Sequence, residues 1–251
     1  MFDEYERKGG ESVYIDIHNH CLPGIDDGSS GLEESLSMLR MSAENGVHQI
    51  IATPHCHYRR GHAPAETIRE KVELLNRSAA EQNIDIELYS GNEIYYSHDV
   101  PELLESGQIL TLADSEYALI EFSPSAEYDK VRRGLYNVMT AGFAPILAHA
   151  ERVEALVEDI SLVDELIEMG SYIQMNITSV RTNSSRNVRK FVKTAIKNDM
   201  VHFFATDAHR STGRTPDMQE DLRYLLRKFG EGFVTRVLSE NPRKIIDNET
   251  I

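Results

Sequence analysis

The sequence predicts a single α/β domain, and three observations carry that prediction. Seven β-type runs, at 13–18, 49–53, 84–90, 117–122, 144–149, 172–177 and 201–206, alternate with segments of helical period. Several of these runs are apolar on both faces, as buried parallel strands are. No linker rich in Pro, Gly or Ser, no repeat and no low-complexity segment divides the chain. Doubly wound sheets share this alternation, so periodicity alone leaves barrel and open sheet undecided.

Taken in order, each run ends in a recognisable way. The first ends in His18 and His20, and a Pro23-Gly24 turn then leads to Asp26-Asp27-Gly28; a helix follows at about 33–45 and stops at Gly46. The second ends in Thr53-Pro54-His55, with His57 beyond, and its helix covers 65–82. The third runs into SGNEIYYS, which carries Glu93, ahead of a helix at 99–106. Glu121 lies within the fourth, before a helix at 128–141 capped by Gly142. The fifth ends in His149 and Glu151, and a helix at 158–169 ends at Gly170. The sixth, ending near Asn176 and Thr178, offers no strong metal ligand and precedes a helix at 185–198. The seventh ends in Asp207 and His209, followed by a helix at 216–229 and a last helical stretch from about 231.

Composition narrows the classes. With 251 residues, 41% hydrophobic and 27% charged, the chain can bury a large core. No apolar run is long enough for a transmembrane helix. The first twelve residues, MFDEYERKGGES, lack an apolar h-region, so no secretory signal is read; they are expected to form a mobile extension before a domain spanning 13–251. Two cysteines, Cys21 and Cys56, build no disulfide framework and fit a reducing cytoplasm. Neither is followed six positions on by the arginine of a cysteine phosphatase, since those positions hold Asp27 and His62. A net charge of −15 opposes a general nucleic-acid or anionic-membrane binder but allows an anionic substrate, because bound cations would reverse the local sign.

Each ligand-type residue alone has a plainer reading. H-x-H recurs by chance, Glu121 suits an ion pair, His149 suits a hydrogen-bonded core position, and both cysteines suit apolar filling. His48, His62, His98 and His202 lie away from the strand ends and are expected to meet solvent or local hydrogen bonds. The combination differs. Six of seven runs deliver such residues at the same end, and residues i and i+2 of a strand point to one side. Imidazoles mixed with carboxylates, without thiolates, suit Mn²⁺, Fe²⁺ or Zn²⁺.

The phrases DIHNHCLPGIDDG, IIATPHCH, SGNEIYY, LIEF, ILAHAER and ATDAHR, in this order, resemble the polymerase-and-histidinol-phosphatase (PHP) superfamily. They are most similar to its bacterial manganese-dependent protein-tyrosine phosphatases of capsule and exopolysaccharide operons, over about residues 13 to 245. The resemblance implies a distorted (β/α)7 TIM-like barrel with a trinuclear site at the C-terminal face, in one PHP domain over 13–251. It implies that His18, His20, Glu93 and Asp207 hold one ion, that Glu93, Glu121 and His149 surround a second, and that Asp27, His55 and His209 hold a third. Arg152 and Arg214 resemble the arginines that bind substrate phosphate; the role of His57 and any role for 1–12 stay open.

The chemistry expected of such a site is phosphomonoester hydrolysis by a hydroxide held between two ions about 3.5–4 Å apart, the third ion binding a phosphoryl oxygen. No side-chain nucleophile is needed. The expected partner is a phosphotyrosyl protein, the Tyr-rich tail of a bacterial tyrosine kinase, with no nucleic acid and no membrane insertion. A PHP phosphatase of a small metabolite such as histidinol phosphate is the alternative; those relatives usually lack LPGIDDG. A nuclease is opposed by the charge, and a non-catalytic phosphotyrosine binder by the complete ligand set.

Overall fold

A computed structural model describes residues 13–57, 61–181 and 185–251, and the expected extension at 1–12 lies outside them. The strands are β1 Tyr14–Asn19, β2 Val47–Ala52, β3 His55–Cys56, β4 Glu87–Ser90, β5 Glu93–Tyr95, β6 Tyr117–Glu121, β7 Ala144–Leu147, β8 Tyr172–Asn176 and β9 Phe203–Ala205. All their pairings are parallel. The parallel α/β architecture is as expected, but the strands form two sheets, in the orders β1-β2-β4 and β3-β5-β6-β7-β8-β9, in place of one continuous ring.

The division has a local cause. The second and third expected runs end as read to within a residue, at Ala52 and Ser90, but beyond Thr53-Pro54 and Gly91-Asn92 the chain forms two further short strands outside the seven expected runs. Proline has no N–H to give a ladder. At Gly91 a Cβ would come within 3.0 Å of the Leu112 side chain and 3.1 Å of the Ile51 side chain, so any larger residue would have to push both aside. Beyond the breaks the chain resumes as β3 and β5, with His55 directly opposite Glu93. Elsewhere the outer ends meet: Asp207 N–H donates to His18 O and His20 N–H to Ala208 O, both at 2.9 Å, which lays the chain after β9 beside the end of β1.

Both faces of the strands are buried, which explains why the runs read as continuously apolar. Alternate residues Ile15 and Ile17, Tyr117 and Leu119, Ile146 and Ala148, and Phe203 and Ala205 form one cluster among the strands. The residues between them, such as Ala118, Ile120, Leu147 and Phe204, join a larger cluster with the helices. Those helices are α1 Leu32–Glu44, α2 Ala65–Glu81, α3 Val100–Glu105, α4 Tyr128–Thr140, α5 Glu154–Glu158, α6 Ser161–Glu168, α7 Arg186–Lys197, α8 Gln219–Phe229, α9 Glu231–Thr235 and α10 Asn241–Ile246. Gly46, Gly142 and Gly170 follow α1, α4 and α6 with positive φ, as the capping expectation requires. The helix expected at 158–169 is α6, and a further short helix, α5, precedes it. Asp159 is extended between them, and its carboxylate accepts the Ser161 N–H at 3.0 Å and hydroxyl at 2.6 Å, starting a new helix.

Candidate metal centre

The strand ends bring the expected residues together. Ligand atoms of His18, His20, Glu93 and Asp207 lie within 4.8 Å of one another, and all four residues are buried. His149 Nε2 stands 2.7 Å from Glu93 Oε1 and 3.5 Å from Glu121 Oε1. Asp27 Oδ1 lies 3.4 Å from His55 Nε2 and 3.6 Å from His209 Nε2. These proximities follow the three groups expected from sequence. His55 also reaches across them, with Nδ1 at 2.8 Å from Glu93 Oε2.

Backbone conformation contributes to the convergence. His149 and Asp207 both sit in the left-handed region, with φ of 31° and 51°. For residues with a Cβ this costs on the order of 1–2 kcal/mol each, and such strain tends to be held at working sites. At each position the reversal turns a strand-end side chain back over the cluster.

A second layer fixes the rings. Asp26 Oδ2 lies 2.7 Å from His20 Nδ1 and also accepts the His55 N–H at 2.9 Å. Gln174 Oε1 lies 3.2 Å from His18 Nδ1 and accepts the His149 N–H at 2.7 Å. Asn176 Nδ2 donates to Asp207 Oδ2 at 2.8 Å. Asp16, only 2% exposed, accepts from Asn19 Nδ2, Thr206 N–H and Thr206 Oγ1 at 2.9, 3.0 and 2.6 Å, tying the end of β1 to the loop after β9. Gly28 lets the Asp26-Asp27 loop fold onto this layer: a Cβ there would stand 2.2 Å from His20 O.

These supporting residues are what sequence reasoning missed. Asp26, beside the expected ligand Asp27, is one of them. The sixth run indeed brings no strong ligand, yet Gln174 and Asn176, spaced i and i+2 on a strand otherwise apolar, orient ligands from two neighbouring strands. That spacing was the available signal. Of the other histidines, His48 Nδ1 lies 2.9 Å from Asp85 O and His202 Nδ1 accepts the Ile173 N–H at 3.1 Å, as expected for local bonding. His57 stacks on Tyr95 with ring centroids 4.7 Å apart. Cys21 and Cys56 are free and buried.

The electrostatics favour cations. Burial alone would raise the Glu93 carboxyl, but His18 and His149 beside it hold it well below the usual carboxylate range. Asp207 is likewise pushed up by burial and held well below by His18, His20 and Arg152. Glu121 is raised, by burial and then by the nearby charge of Glu93. His18 and His20 are raised despite burial, because Glu93 and Asp207 face them. Burial, His20 and Arg214 push His209 down to about 4, so its ring is neutral and free to ligate near pH 7.

The donor set fits divalent metal. Buried His18 Nε2, His20 Nε2, Asp207 Oδ1 and His209 Nε2 have no hydrogen-bond partner among the described residues, although their other polar atoms are satisfied, and Glu93 Oε2 meets only histidine nitrogens, His55 Nδ1 at 2.8 Å among them. Unpaired polar atoms in a closed space are costly unless something binds them. Arg152 and Arg214 stand at the side of this cluster, with guanidinium nitrogens 2.5 and 2.7 Å from Asp207 Oδ2. Each is about half exposed, at 40% and 47%, so each can turn toward an incoming anion.

Comparison with known proteins agrees with this geometry. The family model "Capsular polysaccharide synthesis, CpsB/CapC" matches residues 14–247. The tyrosine-protein phosphatase CpsB of Streptococcus pneumoniae is 36% identical over 242 residues, covering 94% of this chain and all of that protein. The tyrosine-protein phosphatase YwqE of Bacillus subtilis is 32% identical over 241 residues, covering 94% and 93%. Among solved structures, one from the pair YwqE and CpsB, described as unique metal-dependent tyrosine phosphatases, superposes with a TM-score of 0.88 at 31% identity, covering 94% of this chain and 96% of that one. A phosphotriesterase from Mycobacterium tuberculosis shares the fold alone, with a TM-score of 0.54 at 15% identity over 95% of each chain. With its motifs, its fold and this match in agreement over nearly the whole length, the chain belongs to the CpsB/CapC family of capsular polysaccharide synthesis.

Proposed function

We propose that the chain is a metal-dependent protein-tyrosine phosphatase that removes phosphate from the Tyr-rich tail of a bacterial tyrosine kinase governing capsule or exopolysaccharide synthesis. The observation that carries the reading is the convergence of buried, unpartnered imidazole and carboxylate atoms beside two arginines. The names of the relatives supply the substrate class. In this reading His18, His20, Glu93 and Asp207 hold one ion, Glu93, Glu121 and His149 a second, and Asp27, His55 and His209 a third. Mn²⁺ is the ion of choice, and Fe²⁺ or Zn²⁺ suit the same donors. The two sheets then act as arcs of a distorted (β/α)7 barrel, one domain over 13–251, working in the cytoplasm.

Bound ions supply Lewis acidity and lower the pKa of water toward neutrality. The chain's own residues do the rest. Asp26 and Gln174 hold the rings of His20 and His18 with Nε2 turned inward. Arg152 and Arg214 swing from Asp207 to phosphoryl oxygens, where their planar forks pair bidentately. No cysteine takes part: burial raises both thiols, Cys56 to about 12, and keeps them protonated. A tyrosyl leaving group, with a phenol pKa of about 10, needs less help from a general acid than an alkyl alcohol would.

The test is phosphate release from a phosphotyrosyl peptide by chelator-stripped protein, with and without Mn²⁺, against a phosphoseryl peptide and histidinol phosphate. Mn²⁺-dependent release confined to phosphotyrosine is the expected result. Preference for histidinol phosphate would move the enzyme to small-molecule metabolism. In parallel, Arg152→Ala should lower kcat/KM by about 100-fold, in line with loss of a charged donor to the transition state.

A further inference from the structure

Beside the metal cluster, on the far side of Asp207, lies a pocket of about 750 Å³. Arg152 and Arg214 stand at its inner end with Asp207, whose Oδ1 faces the cluster while Oδ2 takes both arginines. A phosphoryl group held by those arginines would leave its ester oxygen pointing into this space. The volume exceeds what a phenol ring needs and accommodates flanking peptide.

The lining is mixed. Pro124, Val157 and Val188 offer apolar surface to a ring. Glu154, Glu158 and Asp217 also line it, exposed carboxylates that make no ion pair among the described residues, though Asp217 Oδ1 accepts the Gln219 N–H. Asp221, another acid of the wall, is already matched by Arg181 Nε at 2.9 Å. A second feature points the same way. Glu151 lies in the wall and is 2% exposed; its Oε1 accepts the Asn176 N–H at 3.0 Å and the Ser179 hydroxyl at 2.8 Å, while Oε2 has no partner. That oxygen calls for a donor, and an entering polypeptide brings N–H groups.

Resting on the phosphatase reading, we infer that this pocket is the peptide subsite of the reaction, and that Glu154, Glu158 and Asp217 select phosphotyrosines flanked by Lys or Arg. Glu151 meets the peptide itself, and the rim reads its side chains. The arrangement separates two demands. The phosphate is bound by arginines within a cation-filled site, whereas the flanks meet a chain of net charge −15 that attracts cationic segments and repels acidic ones. Among the described residues, Arg152 and Arg214 are the only cationic side chains of the lining, so its positive charge is confined to the end that meets the phosphate.

The experiment uses three peptides with one phosphotyrosine each, flanked by Lys, Ser or Glu, and their non-hydrolysable phosphonate counterparts. The Mn²⁺-loaded protein is assayed for turnover of the first set and for binding of the second. Exposed charge pairs are each worth up to about fivefold, so two or three should favour the Lys peptide over the Glu peptide by about tenfold or more at low salt. The ratio should fall as salt rises. In Glu154→Lys/Glu158→Lys it should fall to near one or invert, and a ratio is independent of the fraction of folded protein. Turnover without any flank preference, or a preference unmoved in the double variant, would overturn the subsite and leave the phosphatase standing. Flank-dependent phosphonate binding without turnover would keep the subsite and overturn the phosphatase.

Discussion

Asp16 coordinates nothing in the proposed scheme, yet its removal should damage both the fold and the site. In Asp16→Ala the acceptor for Thr206 N–H, Thr206 Oγ1, Asn19 Nδ2 and, at 3.4 Å, His18 N–H disappears, in a space where Asn19 is 0% and Thr206 7% exposed. Asn19 Nδ2 already donates to Thr206 Oγ1 at 3.4 Å, and Asn19 Oδ1, which has no hydrogen-bond partner among the described residues, can take the Thr206 hydroxyl. The Thr206 N–H and one amide hydrogen then lose their short bonds without replacement. Orphaned buried donors cost about 1–3 kcal/mol each, which gives about 2–6 kcal/mol for the pair. Part of this returns, because burial raises the Asp16 carboxyl against the pull of its four hydrogen bonds, and deletion removes that buried charge. A net loss of about 3–4 kcal/mol is expected, measured as the change in unfolding free energy in urea. Asp16→Asn should lose less, since one amide oxygen still accepts. A cost below about 1 kcal/mol for the alanine variant would refute the reasoning, for the donors would then have found other partners.

Gln174→Leu should leave the core volume nearly intact and weaken Mn²⁺ binding by about 10–100-fold, read by metal titration, since the amide orients His18 and anchors the His149 backbone. His202, away from the site, should make stability pH-dependent. Burial, with a smaller push from Arg236, lowers its pKa from 6.5 to about 4, against the pull of Asp199. The unfolded chain therefore binds a proton from about pH 6.5 downward while the folded chain refuses it until about pH 4, so stability present above pH 6.5 is lost across that window. The loss is at most about 3 kcal/mol, and His202→Asn should flatten that part of the unfolding free energy measured against pH.

The expected ligands were legible because each chain element contributes locally. A strand end, an i,i+2 spacing and a following turn are short-range facts, and His18 with His20 or Asp207 with His209 can be read from a few neighbouring letters. The supporting contacts are not short-range. Gln174 meets His18 across 156 positions and Asp16 meets Thr206 across 190, and neither side chain differs by type from any polar residue at a strand surface. The strand breaks were hidden for another reason. The runs at 49–53 and 84–90 end before Pro54 and Gly91-Asn92, and only packing reveals that the few residues beyond pair again as β3 and β5, in a second sheet. Helix α5 is only five residues long, too short to show a helical period of its own ahead of the expected helix at 158–169.

Those breaks also explain how one chain holds a rigid core and a strained site. Below Pro54 and Gly91, β2 and β4 pair over four consecutive residues, and β2 buries both faces, which is where stability is gathered. Above them, β3 and β5 pair over only two, and from that short ladder His55 and Glu93 enter the cluster. A ladder continued without interruption would keep strict alternation and send every second side chain away from the centre. Interruption resets the phase, so that Glu93 can stand within reach of His18, His20, His55 and His149 together. The left-handed turns at His149 and Asp207 do the same for β7 and β9. Irregular backbone at four strand ends is thus what turns a parallel sheet, whose period alone would scatter its ligands, into a shell with one focus.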